Sequence, residues 1–134
     1  ITVLRTRAAL DAARLDLTEL QALADHLGHG SLHETEPFLV TLGGATPAGQ
    51  TYSRLLLAPP SPPEDPFTGS ATGAMASYLW QNGFLEQPDF VAEQGHGMDR
   101  PGQAQVTVLG PSDAISGVRI GGKAHVLMSG TLFL

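Results

Sequence analysis

The chain has 134 residues, a length that fits one domain and buries roughly two-thirds of its unfolded surface on folding. With 42% hydrophobic and 15% charged residues, 16 glycines and 10 prolines, it reads as turn-rich and globular rather than disordered. Seven basic against 13 acidic residues give a formal charge of −6, so neither nucleic acid nor an anionic membrane surface is an expected partner; zero cysteines exclude disulfides, thiolate metal sites and cysteine nucleophiles, and fit a reducing cytoplasm.

No apolar run reaches the length of a bilayer span, and no signal-peptide pattern opens the chain. A start at Ile1 rather than Met fits a processed, cloned or split piece of something longer. Residues 1–4 suit a short strand, and residues 10–27 one or two helices, with Asp16 as N-cap, Glu19 three residues on as in a capping box, and Gly28 as the stop. Leu17, Leu20, Leu23, Ala24 and Leu27 are expected on one face packed against a core.

Residues 38–42 and 52–58 are strand-like, and residues 43–49 read as a hairpin-type connection between them. The run 59–63, Pro-Pro-Ser-Pro-Pro, is semi-rigid: either a linker between domains or, as we favour, a stiff arm that positions the turn after it. From Pro66 to Leu85 there is no charge, so the helix expected at 70–82 has no solvated face and belongs in the middle of the fold, with Gly83 ending it. The remainder is strand-like at 90–93, 105–109, 117–120, 123–128 and 131–134, with a turn at 110–113 and a tight two-glycine hairpin at Gly121-Gly122. These elements predict an α+β fold: a curved mixed sheet, barrel-like, wrapped around a central apolar helix.

The most informative stretch is residues 64–74, where an acidic pair runs through Pro66 into a glycine- and hydroxyl-rich turn that opens the charge-free helix. A helix start leaves up to four N–H groups without intrahelical partners and carries roughly half a positive charge, so a carboxylate or phosphate is favoured there. Pro66 biases Asp65 toward an extended conformation before the turn. Gly69-x-x-x-Gly73 lacks the Lys-Ser/Thr signature of a phosphate loop. His26, His29 and His33 are separated by a glycine-bearing turn and present no fixed face for a metal; His96 reads as a surface-loop histidine and His125 as a structural strand residue.

Glu64-Asp65-Pro66-x-Thr68-Gly69-Ser70-Ala71, then Gln94-Gly95-x-x-Met98-x-Arg100-Pro101 and the late Val118-x-Ile120-Gly121-Gly122-x-Ala124, resemble in order and spacing the C-terminal half of phenazine-biosynthesis PhzF-like proteins, over essentially the whole chain. The resemblance implies one half of a diaminopimelate-epimerase-like two-domain fold, with the active site in the cleft between halves. It implies a cofactor-independent isomerase, no metal, a small carboxylate substrate, an N-terminal half-domain carrying the acid/base glutamate, and a cytoplasmic homodimer. No residue here stands in for that glutamate by motif. Asp99 and Gly102 depart from the glycine and serine that the family often shows around Arg-Pro. Epimerases of this fold use one cysteine from each half; this chain has none, which excludes two-thiol racemisation and leaves a carboxylate-based proton shift open.

On that pattern Asp65 is the candidate catalytic residue, and Thr68, Gly69 and Ser70 the candidate substrate-binding residues. The competing readings are a turn-stabilising Asp65 and ordinary helix capping by Thr68 or Ser70. Glu64 either holds the loop by hydrogen bonds or is a solvated charge. Arg100-Pro101 reads as a loop anchor. A non-catalytic small-carboxylate-binding module and a purely structural half-domain are the alternatives to the isomerase.

Overall fold

A computed structural model describes residues 1–133. Three helices and seven strands run in the order β1 (Thr2–Val3), α1 (Arg7–Ala12), α2 (Leu17–Leu27), β2 (Phe38–Leu42), β3 (Thr51–Leu56), β4 (Glu64–Asp65), α3 (Gly69–Gln81), β5 (Asp89–Gln94), β6 (Gly102–Leu109) and β7 (Gly117–Gly122). The expected 10–27 helical stretch is thus two helices. The Thr6 hydroxyl caps the first, accepting from Ala9 N–H at 3.1 Å. Asp16 caps the second, accepting from the N–H groups of Thr18 and Glu19 at 2.9 and 3.2 Å, and Gly28 closes it in a left-handed conformation.

The strands form one open mixed sheet in the order β1-β2-β3-β5-β6-β7, parallel at β1–β2 and β3–β5 and antiparallel elsewhere, with β4 as a branch on β3. Period-two alternation sends successive side chains to opposite faces. Phe38 and Val40 of β2 join Phe90, Ala92, Ala104, Val106 and Val108 against Met75, Ala76 and Leu79 of α3, while Leu39, Tyr52 and Leu56 pack on the other side against Leu10 of α1. Burying each of the larger of these side chains is worth about 1.5–3 kcal/mol.

Several expectations need correction. α3 covers one face of the sheet with Thr72, Met75, Ala76 and Leu79 buried, but Ser70, Ala74 and Tyr78 are exposed. A charge-free helix face built of small residues and one tyrosine hydroxyl is polar enough to meet solvent. In α2 only Leu20 and Ala24 are buried; Leu17, Leu23 and Leu27 are 44–52% exposed, because the helix touches the core at its middle alone. The proline run is neither linker nor arm. It folds the chain back, with Leu57 N–H bonded to Pro63 O at 2.9 Å, so that β4 pairs antiparallel with β3.

At the C-terminal side, Gly121 and Gly122 are not a hairpin: they continue β7 and pair with Gln105 and Ala104. No strand follows among the described residues, so the expected strands at 123–128 and 131–133 are absent, and His125 lies in an exposed, irregular segment; Leu134 lies outside the described residues. Both expectations rested on β-propensity, which reports fit to a half-buried pleated surface and needs a neighbour to pair with. Among the described residues no helix is long and apolar enough to cross a membrane.

Candidate functional site

The site is set by how two strands share one edge of β3. β5 pairs with Thr51–Ser53 and ends at Gln94 opposite Ser53, while β4 runs the other way and ends at Asp65 opposite Leu55. The two strand ends therefore meet head to head beside Arg54, and both chains leave the sheet there. From Asp65 the chain turns through Pro66 and Phe67 into α3; from Gln94 it enters the loop 95–101.

Gln94 ties the two departures together. Its fully buried side chain accepts from Thr68 N–H at 3.1 Å through Oε1, and donates through Nε2 to the Asp65 carbonyl at 2.8 Å and the Thr68 hydroxyl at 3.2 Å. The Thr68 hydroxyl in turn donates to Asp65 Oδ2. Thr68 occupies the N-cap position of α3 with no side-chain cap bond, so its hydroxyl is committed to Asp65 rather than to the helix. Ordinary capping by Thr68 or Ser70 is not what the structure shows. Gly69 and Ser70, the first helical residues, are exposed, and the N–H groups of the opening turn lie at the positive end of the helix dipole.

Gly95 is required by the loop it opens. Its φ is +84°, and an added Cβ would lie 2.3 Å from the Arg100 carbonyl and 2.6 Å from that of Pro66. Arg100 N–H returns to Gly95 O at 3.1 Å. It is thus the backbone of Arg100 that anchors the loop, while the residue itself is exposed. Asp99 is held at φ 55°, a conformation that favours glycine. His96 is not a free surface histidine: its ring stands edge-on to buried Tyr52 at 5.6 Å, and its buried Nδ1 has no partner.

Behind the turn, Arg54 decides between the two readings of Glu64. Arg54 Nε donates to Glu64 at 3.1 Å, Nη2 donates to the other carboxylate oxygen, and Nη1 reaches the carbonyls of Leu10, Asp11 and Ala13 at the end of α1. Glu64 therefore holds the loop. The Glu64 hydrogen bond raises the Arg54 pKa against the opposing effect of burial.

On the sheet face opposite α3, Glu93 is fully buried. Burial pushes its carboxyl up, but the Thr46 hydroxyl and N–H at 2.6 and 2.8 Å, with Gln103 Nε2 at 2.6 Å, outweigh it and hold the group below the ordinary range. This network fastens the β2–β3 connection to β5 and β6. Sequence reading missed it; the signal was an acidic residue directly after the apolar run Phe90-Val91-Ala92.

The structure thus brings Asp65, Thr68, Gly69 and Ser70 into one turn. It does not assemble the early histidines: His29 Nδ1 lies 2.7 Å from Thr35 Oγ1, and His33 Nδ1 lies 2.7 Å from Glu36 Oε1. Among the described residues no group of histidines and carboxylates could hold a metal ion. Two cavities, of about 310 and 380 Å³, are lined by other residues, so the turn borders neither.

A mixed sheet with α3 seated on it and a polar turn at the helix start is an epimerase-like α+β architecture. It superposes on a solved phenazine biosynthesis PhzC/PhzF protein from Clostridium difficile with TM-score 0.66 at 23% identity, covering 98% of this chain and 43% of that one. A solved protein from Pseudomonas aeruginosa, described as a predicted epimerase, matches with TM-score 0.55 at 28% identity over 95% of this chain and 42% of that one. The chain belongs to the phenazine biosynthesis-like (PhzC-PhzF) family, whose model matches residues 38–130. It is 30% identical over 125 residues to an uncharacterized isomerase of Deinococcus radiodurans, covering 90% of this chain and 38% of that protein. A second uncharacterized isomerase, from Bacillus subtilis, is 35% identical over 68 residues, or 51% of this chain and 20% of that protein. The chain therefore spans well under half the length of these relatives.

Proposed function

We propose that this chain supplies one wall of the active site of a cofactor-independent isomerase that shifts a proton on a small carboxylate-bearing substrate. Asp65 is the catalytic carboxylate on this side. Thr68, Gly69 and Ser70 bind the substrate carboxylate through the first N–H groups of α3. The opposing acid/base belongs to a complementary N-terminal half-domain, and the sheet curving around α3 belongs to that two-half architecture.

The observation that carries this reading is the Gln94 clamp, which fixes the Asp65 carbonyl and the Thr68 N–H and hydroxyl together while the opening residues of α3 stay exposed. A buried amide that does nothing but orient a surface turn is what a preorganised binding site requires. Gly69 agrees: a Cβ there would meet nothing within 4 Å, so nothing in this chain demands glycine, and its absence leaves the helix start open to a ligand. The isomerase and epimerase descriptions of the relatives agree with the reaction class.

The test is exchange of substrate C–H protons with solvent deuterium, run on anthranilate-like and amino-acid carboxylates with the complete protein. Asp65→Asn is expected to slow exchange by about 10² to 10⁴. Exchange and binding unchanged by Asp65→Asn would sink the assignment. Saturable carboxylate binding without exchange would instead favour a non-catalytic binding module, and neither would leave a structural half-domain.

A further inference from the structure

We infer that the cavity behind the Arg54–Glu64 pair is a ligand site for a small apolar carboxylate, separate from the turn that opens α3. It does not rest on the isomerase reading. The cavity, of about 310 Å³, lies where the connection between α1 and α2 faces the end of β3 and the folded-back proline run. That volume falls within the range of small-molecule sites. Leu15 and Leu17 line one side, and Leu56 and Leu57 another. Leu17 stays 44% exposed because it borders this space rather than the core, and an apolar chain seated in the cavity covers it.

The far wall is fixed in place. Leu57 N–H is bonded to Pro63 O at 2.9 Å, Ser61 N–H to Ala58 O at 3.2 Å, and Ala58 N–H to the Glu36 carboxylate at 2.8 Å. The proline fold-back is thereby held against β3 before any ligand arrives, which lowers the cost of binding.

Charge selects the ligand. Three charged side chains line the cavity: Arg14, Arg54 and Glu64. Arg54 is committed to both Glu64 oxygens and to the carbonyls at the end of α1. Arg14 is different. Its Nη1 donates to the Asp11 and Ala13 carbonyls at 2.8 Å each, which fixes the guanidinium at the exposed mouth of the cavity, while Nε and Nη2 have no partner among the described residues. The acidic residues nearest to it in sequence are engaged elsewhere: Asp11 accepts from Arg7, and Asp16 from the N–H groups that open α2. The lining therefore carries one net positive charge, in a chain whose formal charge is −6. Two adjacent guanidinium nitrogens match a carboxylate by paired hydrogen bonds. A carboxylate at Arg14 with an apolar tail over the leucines satisfies both halves of the cavity; a cation of the same shape meets Arg14 unfavourably, and a neutral chain leaves it unpaired.

The experiment is calorimetric titration of the complete protein with hexanoate, hexylammonium and hexanol, joined to nuclear Overhauser contacts between each probe and the leucine methyl groups. Hexanoate is expected to bind saturably, with contacts to Leu15, Leu17 and Leu57, and the other two at least about tenfold more weakly. Arg14→Gln should weaken hexanoate by about the same factor and leave hexanol unchanged. Ser61→Trp puts an indole into the cavity and should weaken all three probes. Should either variant fold poorly, the comparison of the three probes on the unaltered protein still decides. Absence of saturable hexanoate binding overturns the proposal, whether the cavity is closed by another part of the complete protein or simply stays empty. Equal affinity for hexylammonium overturns it as well. Hexanoate binding that survives Arg14→Gln and Ser61→Trp but is lost in Gly69→Ala places the ligand on the turn of α3 and overturns it equally.

Discussion

Gln94 and Thr68 are joined through both ends of one buried amide: Oε1 takes the Thr68 N–H while Nε2 gives a hydrogen to the Thr68 hydroxyl and another to the Asp65 carbonyl. The two residues are 26 positions apart, and they meet because β4 and β5 end head to head on the same edge of β3. The candidate site is thereby a property of the sheet's branching rather than of the local sequence 64–74. Gln94→Leu keeps the bulk and removes every one of these bonds, leaving the partly buried Thr68 N–H without its partner. A loss of about 1–3 kcal/mol follows, read as a lower denaturant midpoint with unchanged slope. On the proposed function, carboxylate binding weakens in the same variant.

Glu93→Gln probes the network on the other face. An amide there presents one acceptor oxygen where the carboxylate presents two, and its NH₂ confronts the donors of Thr46 and Gln103. The cost is about 1–3 kcal/mol at neutral pH. The folded-state pKa of Glu93 lies below its ordinary value of 4.5. A depressed carboxylate contributes stability that is present above the unfolded pKa and is lost as pH falls through the folded pKa. The gap between the two proteins should therefore be widest near neutrality, begin to close at about the ordinary glutamate value, and be least below the folded pKa. Urea unfolding across that range checks it; a gap independent of pH would mean that folding does not lower the Glu93 pKa.

Arg54 joins three separate pieces of chain, the end of α1, β3 and β4. Replacing it with methionine leaves Glu64 without its partner and takes one donor from three carbonyls that keep another, Leu10 O from Ala13 N–H and the Asp11 and Ala13 oxygens from Arg14, and breaking a largely buried pair in this way costs about 3 kcal/mol or more. Arg54→Lys should recover little of that, because one ammonium cannot span a two-point carboxylate contact and the α1 carbonyls together. Thermal unfolding of both variants separates the outcomes: full recovery by lysine would show that charge alone suffices.

The parts of this fold legible in the sequence are those whose cause is local. Asp16 and Gly28 bound α2 because capping and left-handed closure are decided within a few residues, and β2, β3, β5 and β6 announce themselves by apolar runs between turns. What failed depended on neighbours. Leu23 and Leu27 lie on the expected helix face but beyond the edge of the core. Gly121-Gly122 looks like a hairpin until β6 supplies partners for both. The site shows the same division: the motif placed Asp65, Thr68, Gly69 and Ser70 in one turn, while the Gln94 clamp and the Arg54–Glu64 pair came only from the way β3 divides one edge between β4 and β5. No local pattern encodes that sharing.

Two glycines near the turn separate stability from function. At Gly95 an alanine must adopt φ +84° with its Cβ in contact with two carbonyl oxygens; the left-handed conformation alone costs about 1–2 kcal/mol, and the overlap must push the loop 95–101 away from Pro66. Gly95→Ala is therefore expected to lower stability and disturb the turn together. At Gly69 an added Cβ meets nothing, and exchanging glycine for alanine in a helix is worth up to about 1 kcal/mol of stabilisation. On the proposed function the same methyl stands where the substrate carboxylate reaches the first N–H groups of α3. Gly69→Ala should then leave the unfolding midpoint level or higher while weakening carboxylate binding. A chemical-denaturation series paired with a ligand titration reads both quantities on one sample, and a Gly69→Ala protein that binds as tightly as the parent would remove the helix start from the site.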